Sequence, residues 1–182
     1  TARRLAQAPI PPLTPESAAC VRSLPHVLGS TVGQRRWDRL CRVIPVVTPE
    51  EMGAIDRAAP EPVDVLIGRA GAAVARAARR MLGGTYGRRV VVIAGKGNNG
   101  NDGRDAARRL QRAGVRVLVF EAKDAPTSVP DCDLVIDAAY GTGFRGSYDA
   151  PTVADGTPVL AVDIPSGVDG LTGEVGGRAL QA

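Results

Sequence analysis

The chain has 182 residues, 44% of them hydrophobic and 23% charged, with a formal net charge of +4. That balance describes one globular domain with an extension and excludes a wholly disordered chain. No apolar run approaches the roughly 20 residues that cross a bilayer, and the six aromatic residues are too few for a nucleic-acid stacking platform, so neither a membrane nor a nucleic acid is expected as partner.

The charge is unevenly placed. Residues 1–44 hold seven Arg against Glu16 and Asp38, whereas the remainder carries a net charge of −1. The excess belongs to an Arg-rich N-terminal extension, 1–44, expected to be partly disordered with a short helix opening at Thr14-Pro15-Glu16. A domain over 45–182 follows. Thr48-Pro49-Glu50-Glu51 predicts a helix start, since Thr with Glu three residues later forms a capping box and Pro suits the first turn. A second helix is predicted over 63–82, from apolar residues at 63, 66, 67, 70, 74, 77, 78 and 81 and the Gly83-Gly84 stop.

The texture then changes. Val90–Ala94 is a continuous apolar run, the mark of a strand buried on both faces. A Gly-rich loop over 95–103 follows, then a helix to Ala113 and a stop at Gly114. Further strands are predicted at 115–120, 134–137 and 159–162. Strand, helix and strand with short links imply βαβ units and a parallel sheet, with ligands beyond the carboxyl ends of the strands. Three polar, Gly-containing segments fall at those ends: 95–103, 137–147 and 163–170.

Gly95-Lys96-Gly97-Asn98-Asn99-Gly100-Asn101-Asp102-Gly103 contains GxGxxG after a strand, and Glu121 closes the next strand. That is the context of a dinucleotide fingerprint, whose glycines admit a pyrophosphate. The two Asn and Asp102 fit ligand or cation coordination better, so an NAD(P)-dependent oxidoreductase is the weaker reading. Asp137 and Asp163 each end an apolar strand, where burying a carboxylate is costly unless it is paired or binds a cation. Gly141 to Gly146 could wrap a phosphate, with Arg145 as its charged partner. Oxygen donors from Asn99, Asp137 and Ser166 suit a hard monovalent cation. The three cysteines (Cys20, Cys41, Cys132) are widely spaced and His26 is the single histidine, which excludes a zinc cluster and points to a reduced, cytoplasmic setting. With no GxSxG elbow and no GxxxxGK[ST], a hydrolase triad and a P-loop are set aside.

Taken together, GKGNNGNDG, DLVIDAAYGTGFRG and AVDIPSGVDGLTGEV resemble the YjeF N-terminal domain family, the NAD(P)H-hydrate epimerases. Leu66-Ile67-Gly68-Arg69-Ala70-Gly71 is similar to the family's LMExAG helix, and the match runs over about 48–178. The resemblance implies a three-layer, Rossmann-like α/β sandwich with a mostly parallel sheet. It also implies epimerisation of C6-hydrated NADH or NADPH with a bound potassium ion. By position, Asn99, Asp137 and Ser166 match potassium ligands. Asn98, Asn99, Gly100, Asn101 and Asp102, then Gly141, Thr142, Gly143, Phe144, Arg145, Gly146 and Ser147, and finally Asp163, match substrate-binding positions. Asp163 is the expected acid/base. Asn101 departs from the family's NNGGDG, and its tolerance of left-handed backbone is the expected compensation. The chain also stops at Ala182, where relatives continue, so a truncated sheet edge is expected. An inactive scaffold domain is the competing reading; a homodimer and a fused ADP-dependent dehydratase domain are left open.

Overall fold

The computed structural model describes residues 47–182. The extension, its predicted helix at Thr14, Cys20, Cys41 and His26 lie outside the described residues. Helix α1 (Pro49–Ala58) begins on the expected capping box: Thr48 Oγ1 accepts the Glu51 N–H, and Glu51 reaches back to the Thr48 N–H at 2.7 Å. Two orphan N–H groups are thereby satisfied reciprocally. Helix α2 (Val63–Leu82) closes on Gly83 in the left-handed conformation, φ 65°, which glycine adopts without a Cβ clash.

The buried stripe of α2 differs from the predicted one. It runs through Gly71, Ala75, Ala78 and Leu82, while Val63 and Met81, both on the predicted stripe, are exposed. The reason is the neighbour. Helix α3 (Asn98–Arg112) packs across α2, and a Cβ on Gly71 would sit 2.4 Å from Asp105 Oδ2. Small side chains let the two helices approach; large apolar ones would hold them apart.

Strands β1 (Arg89–Ala94), β2 (Arg116–Glu121), β3 (Leu134–Ala138) and β5 (Val159–Ala161) form a fully parallel sheet in the order β2-β1-β3-β5. Val90–Ala94 are buried, as the apolar run predicts for a central strand. Val90, Val92 and Ala94 meet α2 and α3 on one face. Val91 and Ile93 face the other way, into a layer containing Val129, Ala139, Tyr148 and Ala150. Each fully buried Val or Ile adds roughly 1.5–3 kcal/mol of transfer free energy, so this strand anchors both layers.

Among the described residues, the β1-α3-β2 connection is the crossover within the sheet that carries an α-helix. After β2 a short 3₁₀ turn, Ala122–Asp124, leads into loops, and the second face of the sheet is covered by loops with the small pair β4 (Tyr148–Asp149) and β6 (Gly177–Arg178). The chain thus turns from β1 to β2 on one side and to β3 on the other. That switch point, where a crevice opens at the carboxyl ends of the strands, lies between β1 and β3.

Candidate functional site

The expected Gly-rich loop is shorter than predicted. Gly95–Gly97 are loop, and α3 already starts at Asn98. Close approach explains the glycines. A Cβ on Gly95 would lie 1.8 Å from the Ala139 carbonyl oxygen, one on Gly100 1.8 Å from the Gly95 carbonyl oxygen, and one on Gly103 2.5 Å from the Ala138 Cβ. They seat the first turns of α3 directly on the ends of β1 and β3. Asn101 lies inside this helix, and Asp163 is the non-glycine residue with positive φ among those described. The expected left-handed role of Asn101 is therefore not needed.

Asp137 and Ser166 are fully buried. Asp137 Oδ2 accepts the Ser166 N–H at 2.8 Å, and Oδ1 takes the Ser166 hydroxyl at 2.6 Å and the Ala139 N–H at 3.3 Å. Ser166 Oγ also accepts the Tyr140 N–H at 2.8 Å and stands 3.0 Å from the Tyr140 carbonyl oxygen. One hydroxyl proton thus faces two oxygens, and one of them keeps an unused lone pair. The buried Nδ2 of Asn99 has no hydrogen-bond partner; a half-turn of the amide would put a carbonyl oxygen there instead. A carboxylate, a hydroxyl, a backbone carbonyl and an amide have the chemistry of a hard-cation site. Among the described residues no three His, Cys, Asp or Glu side chains gather at one point.

Asp163 stands at the mouth. It is exposed, its φ is 71°, and Oδ2 accepts the Thr142 N–H at 2.7 Å. Holding a non-glycine residue in this conformation costs of order 1–3 kcal/mol, and such strain concentrates at functional sites. Gly141 makes room: a Cβ there would be 2.5 Å from Asp163 Oδ2 and 3.5 Å from Asn99 Cγ. The carboxylate and the amide therefore face one small space.

That space belongs to a cleft of about 490 Å³, walled by Asn98, Asn99, Gly141, Thr142, Gly143, Phe144, Arg145 and Asp163. Arg145 Nη1 donates to the carbonyls of Thr142 at 3.1 Å and Phe144 at 2.8 Å, which ties the loop together. Of the other sequence-predicted positions, Gly100 packs inside α3 and Gly146 opens on a neighbouring depression. Ser147 lies beside Gly177, and Asn101 and Asp102 sit one turn into α3, off the cleft wall.

Two features escape a sequence reading. Pro49, Met52, Gly53 and Asp56 of α1 form a further wall, although α1 buries no residue, and no motif in this helix announces that role. Asp102, half-buried, has its pKa pushed up to about 6 by burial first and then by the charges of Asp105, Asp163 and Asp56.

Fold and site define a class: an α/β domain with a parallel sheet and a polar cleft at its switch point. The family model described as "YjeF-related protein N-terminus" matches residues 63–132 and 120–182, and the chain belongs to that family. It is similar to an NAD(P)H-hydrate epimerase of Leuconostoc mesenteroides, 36% identical with 75% of this chain and 76% of that protein covered. It is also similar to a bifunctional NAD(P)H-hydrate repair enzyme of Moorella thermoacetica, at 31% identity over 75% of this chain. The chain spans about a third of the length of the bifunctional relatives it matches. The crystal structure of the yeast protein YNL200c superposes with a TM-score of 0.59 and 27% identity, covering 69% of this chain and 72% of that one.

Proposed function

We propose that this domain interconverts the R and S epimers at C6 of hydrated NADH and NADPH, a repair of damaged nicotinamide nucleotides. The observation that carries the reading is Asp163, held over the cleft by the Thr142 N–H in a strained backbone conformation. The names of the relatives supply the substrate class.

In the substrate, the C6 hydroxyl sits beside the ring nitrogen, whose lone pair can expel it. Asp163 donates a proton to the hydroxyl, water leaves, and a ring iminium ion forms. The carboxylate then takes a proton from water as it adds to the opposite face. General acid–base help of this kind contributes about 10²–10⁴-fold.

We assign Asn99, Asp137 and Ser166 to a potassium ion. The single Ser166 proton shared by two oxygens and the partnerless Asn99 amide support that assignment. Bound there, the cation offsets the Asp137 charge. A dehydratase that consumes one epimer is the partner we propose, and its fusion to this domain is in keeping with the bifunctional relatives.

The test starts from a single hydrate epimer and follows the other chromatographically. Appearance of the second epimer with purified protein supports the proposal; its absence in potassium buffer overturns it, and oxidation of NADH without epimerisation would point to an oxidoreductase.

A further inference from the structure

Glu121 ends β2, where a dinucleotide fingerprint places an acid on a ribose hydroxyl, and the proposed chemistry gives it no role. In the structure Arg104 of α3 has taken this carboxylate. Its Nη2 donates to Glu121 Oε1 at 2.7 Å and also reaches Oε2, while Nη1 donates to the Gly95 carbonyl at 2.8 Å. A separate cavity of about 160 Å³ opens beside this pair, walled by Ala94, Ala122 and Tyr140 and rimmed by Lys96 and Lys123. Gly97 and Tyr140 wall this cavity and the main cleft alike, so the two meet across one ridge.

The rim is unusual for this chain. Lys96 and Lys123 are its only lysines, and both border the same cavity. Lys123 touches Asp124 at 3.0 Å in an exposed pair, an interaction worth little in water. Lys96 has no ion pair among the described residues. With Arg104 and Glu121 neutralising each other, the rim keeps positive charge. A free acid here would accept a 2′-hydroxyl and repel a 2′-phosphate; a neutralised acid in a cavity lined by two lysines reverses that preference.

We propose that this cavity is the subsite for the adenosine-side ribose, and that Lys96 and Lys123 hold a ribose 2′-phosphate there. The domain then prefers hydrated NADPH to hydrated NADH. This inference rests on the main cleft being the site of the hydrated nicotinamide. The shared ridge lets one dinucleotide reach from the main cleft, about 490 Å³, into the second, about 160 Å³.

Calorimetric titration with 2′,5′-ADP and with 5′-AMP tests it, alongside KM values for the two hydrates. The expected result is 2′,5′-ADP binding about tenfold more tightly than 5′-AMP, a margin typical of a charge-assisted contact. Lys96→Ala and Lys123→Ala should each shrink that margin, the double variant should erase it, and 150 mM added salt should weaken it. Circular dichroism of each variant checks folding. Equal affinity for the two fragments, or equal loss of both in the variants, overturns the subsite, the second outcome assigning the lysines to the 5′-phosphate. Epimerisation of both hydrates with equal KM overturns the subsite while leaving the activity standing. Failure to epimerise either hydrate while the 2′-phosphate preference persists overturns the activity and leaves the subsite.

Discussion

Asp163 joins a strained backbone, an exposed carboxylate and a bond to the next loop in one residue. Asp163→Asn keeps an oxygen that can accept the Thr142 N–H, so the fold should survive. Epimer interconversion should fall by about 10²-fold or more, measured chromatographically beside an unchanged circular dichroism spectrum. Asp102 makes a different prediction. The folded protein holds its proton up to about pH 6, against 3.8 for the unfolded residue. Its contribution to stability is therefore fully present below pH 3.8 and is lost as pH rises to about 6. Asp102→Asn should stabilise the protein at pH 7 by roughly 1 kcal/mol after allowance for solvent screening, and should flatten the urea midpoint between pH 4 and 6. That Asp137, Asp163 and Ser166 gather at one sheet edge was legible because two acids and a serine fall at or just after the ends of apolar strands. The raised Asp102 pKa was not, because it comes from α1, α3 and the loop after β5 together.

At the scale of elements, close approach decides what can be replaced. The Cβ of Gly100→Ala would meet the Gly95 carbonyl, part of the backbone and unable to swing aside. The variant should lose about 2–3 kcal/mol in urea denaturation, as overpacked sites do. Gly114→Ala places its Cβ in open space and meets only the positive φ of 88°, so its loss should be nearer 1 kcal/mol. The capping box at Thr48 and the apolar run of β1 were readable because their causes are local. The start of α3 was not: Asn98–Gly103 reads as loop by composition, and becomes helix because its glycines let it lie on the sheet. Strands β4 and β6, two residues each, carry no period to detect; they exist because the loops over Val91 and Ile93 must satisfy their backbone groups.

Across the whole molecule, the site joins segments far apart in sequence. The Ser166–Asp137 bonds link β3 to the loop after β5, and Asp163–Thr142 links that loop to the one after β3. The proposed cation, held by Asn99, would add α3 to that union. Ligands of the folded state stabilise it by mass action, by about 2.7 kcal/mol at a hundred times Kd. Potassium should accordingly raise the melting temperature saturably where sodium or choline does less, and Asn99→Ala should remove most of that rise. An equal response to all three cations would discard the ligand assignment. The parallel sheet was legible from strand and helix alternation. The loop-built third layer was not, since nothing in residues 125–133 and 139–158 marks which face of the sheet they cover.

Helix α1 is fixed by its own cap and buries no side chain, yet it forms a wall of the cleft. Little apolar surface is lost when it moves away, so it belongs to the part of the fold that opens at low cost. A nucleotide seated against Met52 would cover surface that the free protein leaves to water. Seating α1 and holding the nucleotide are then a single equilibrium. A substitution on the solvent side of α1, touching no ligand, would shift affinity by shifting how often that wall is in place.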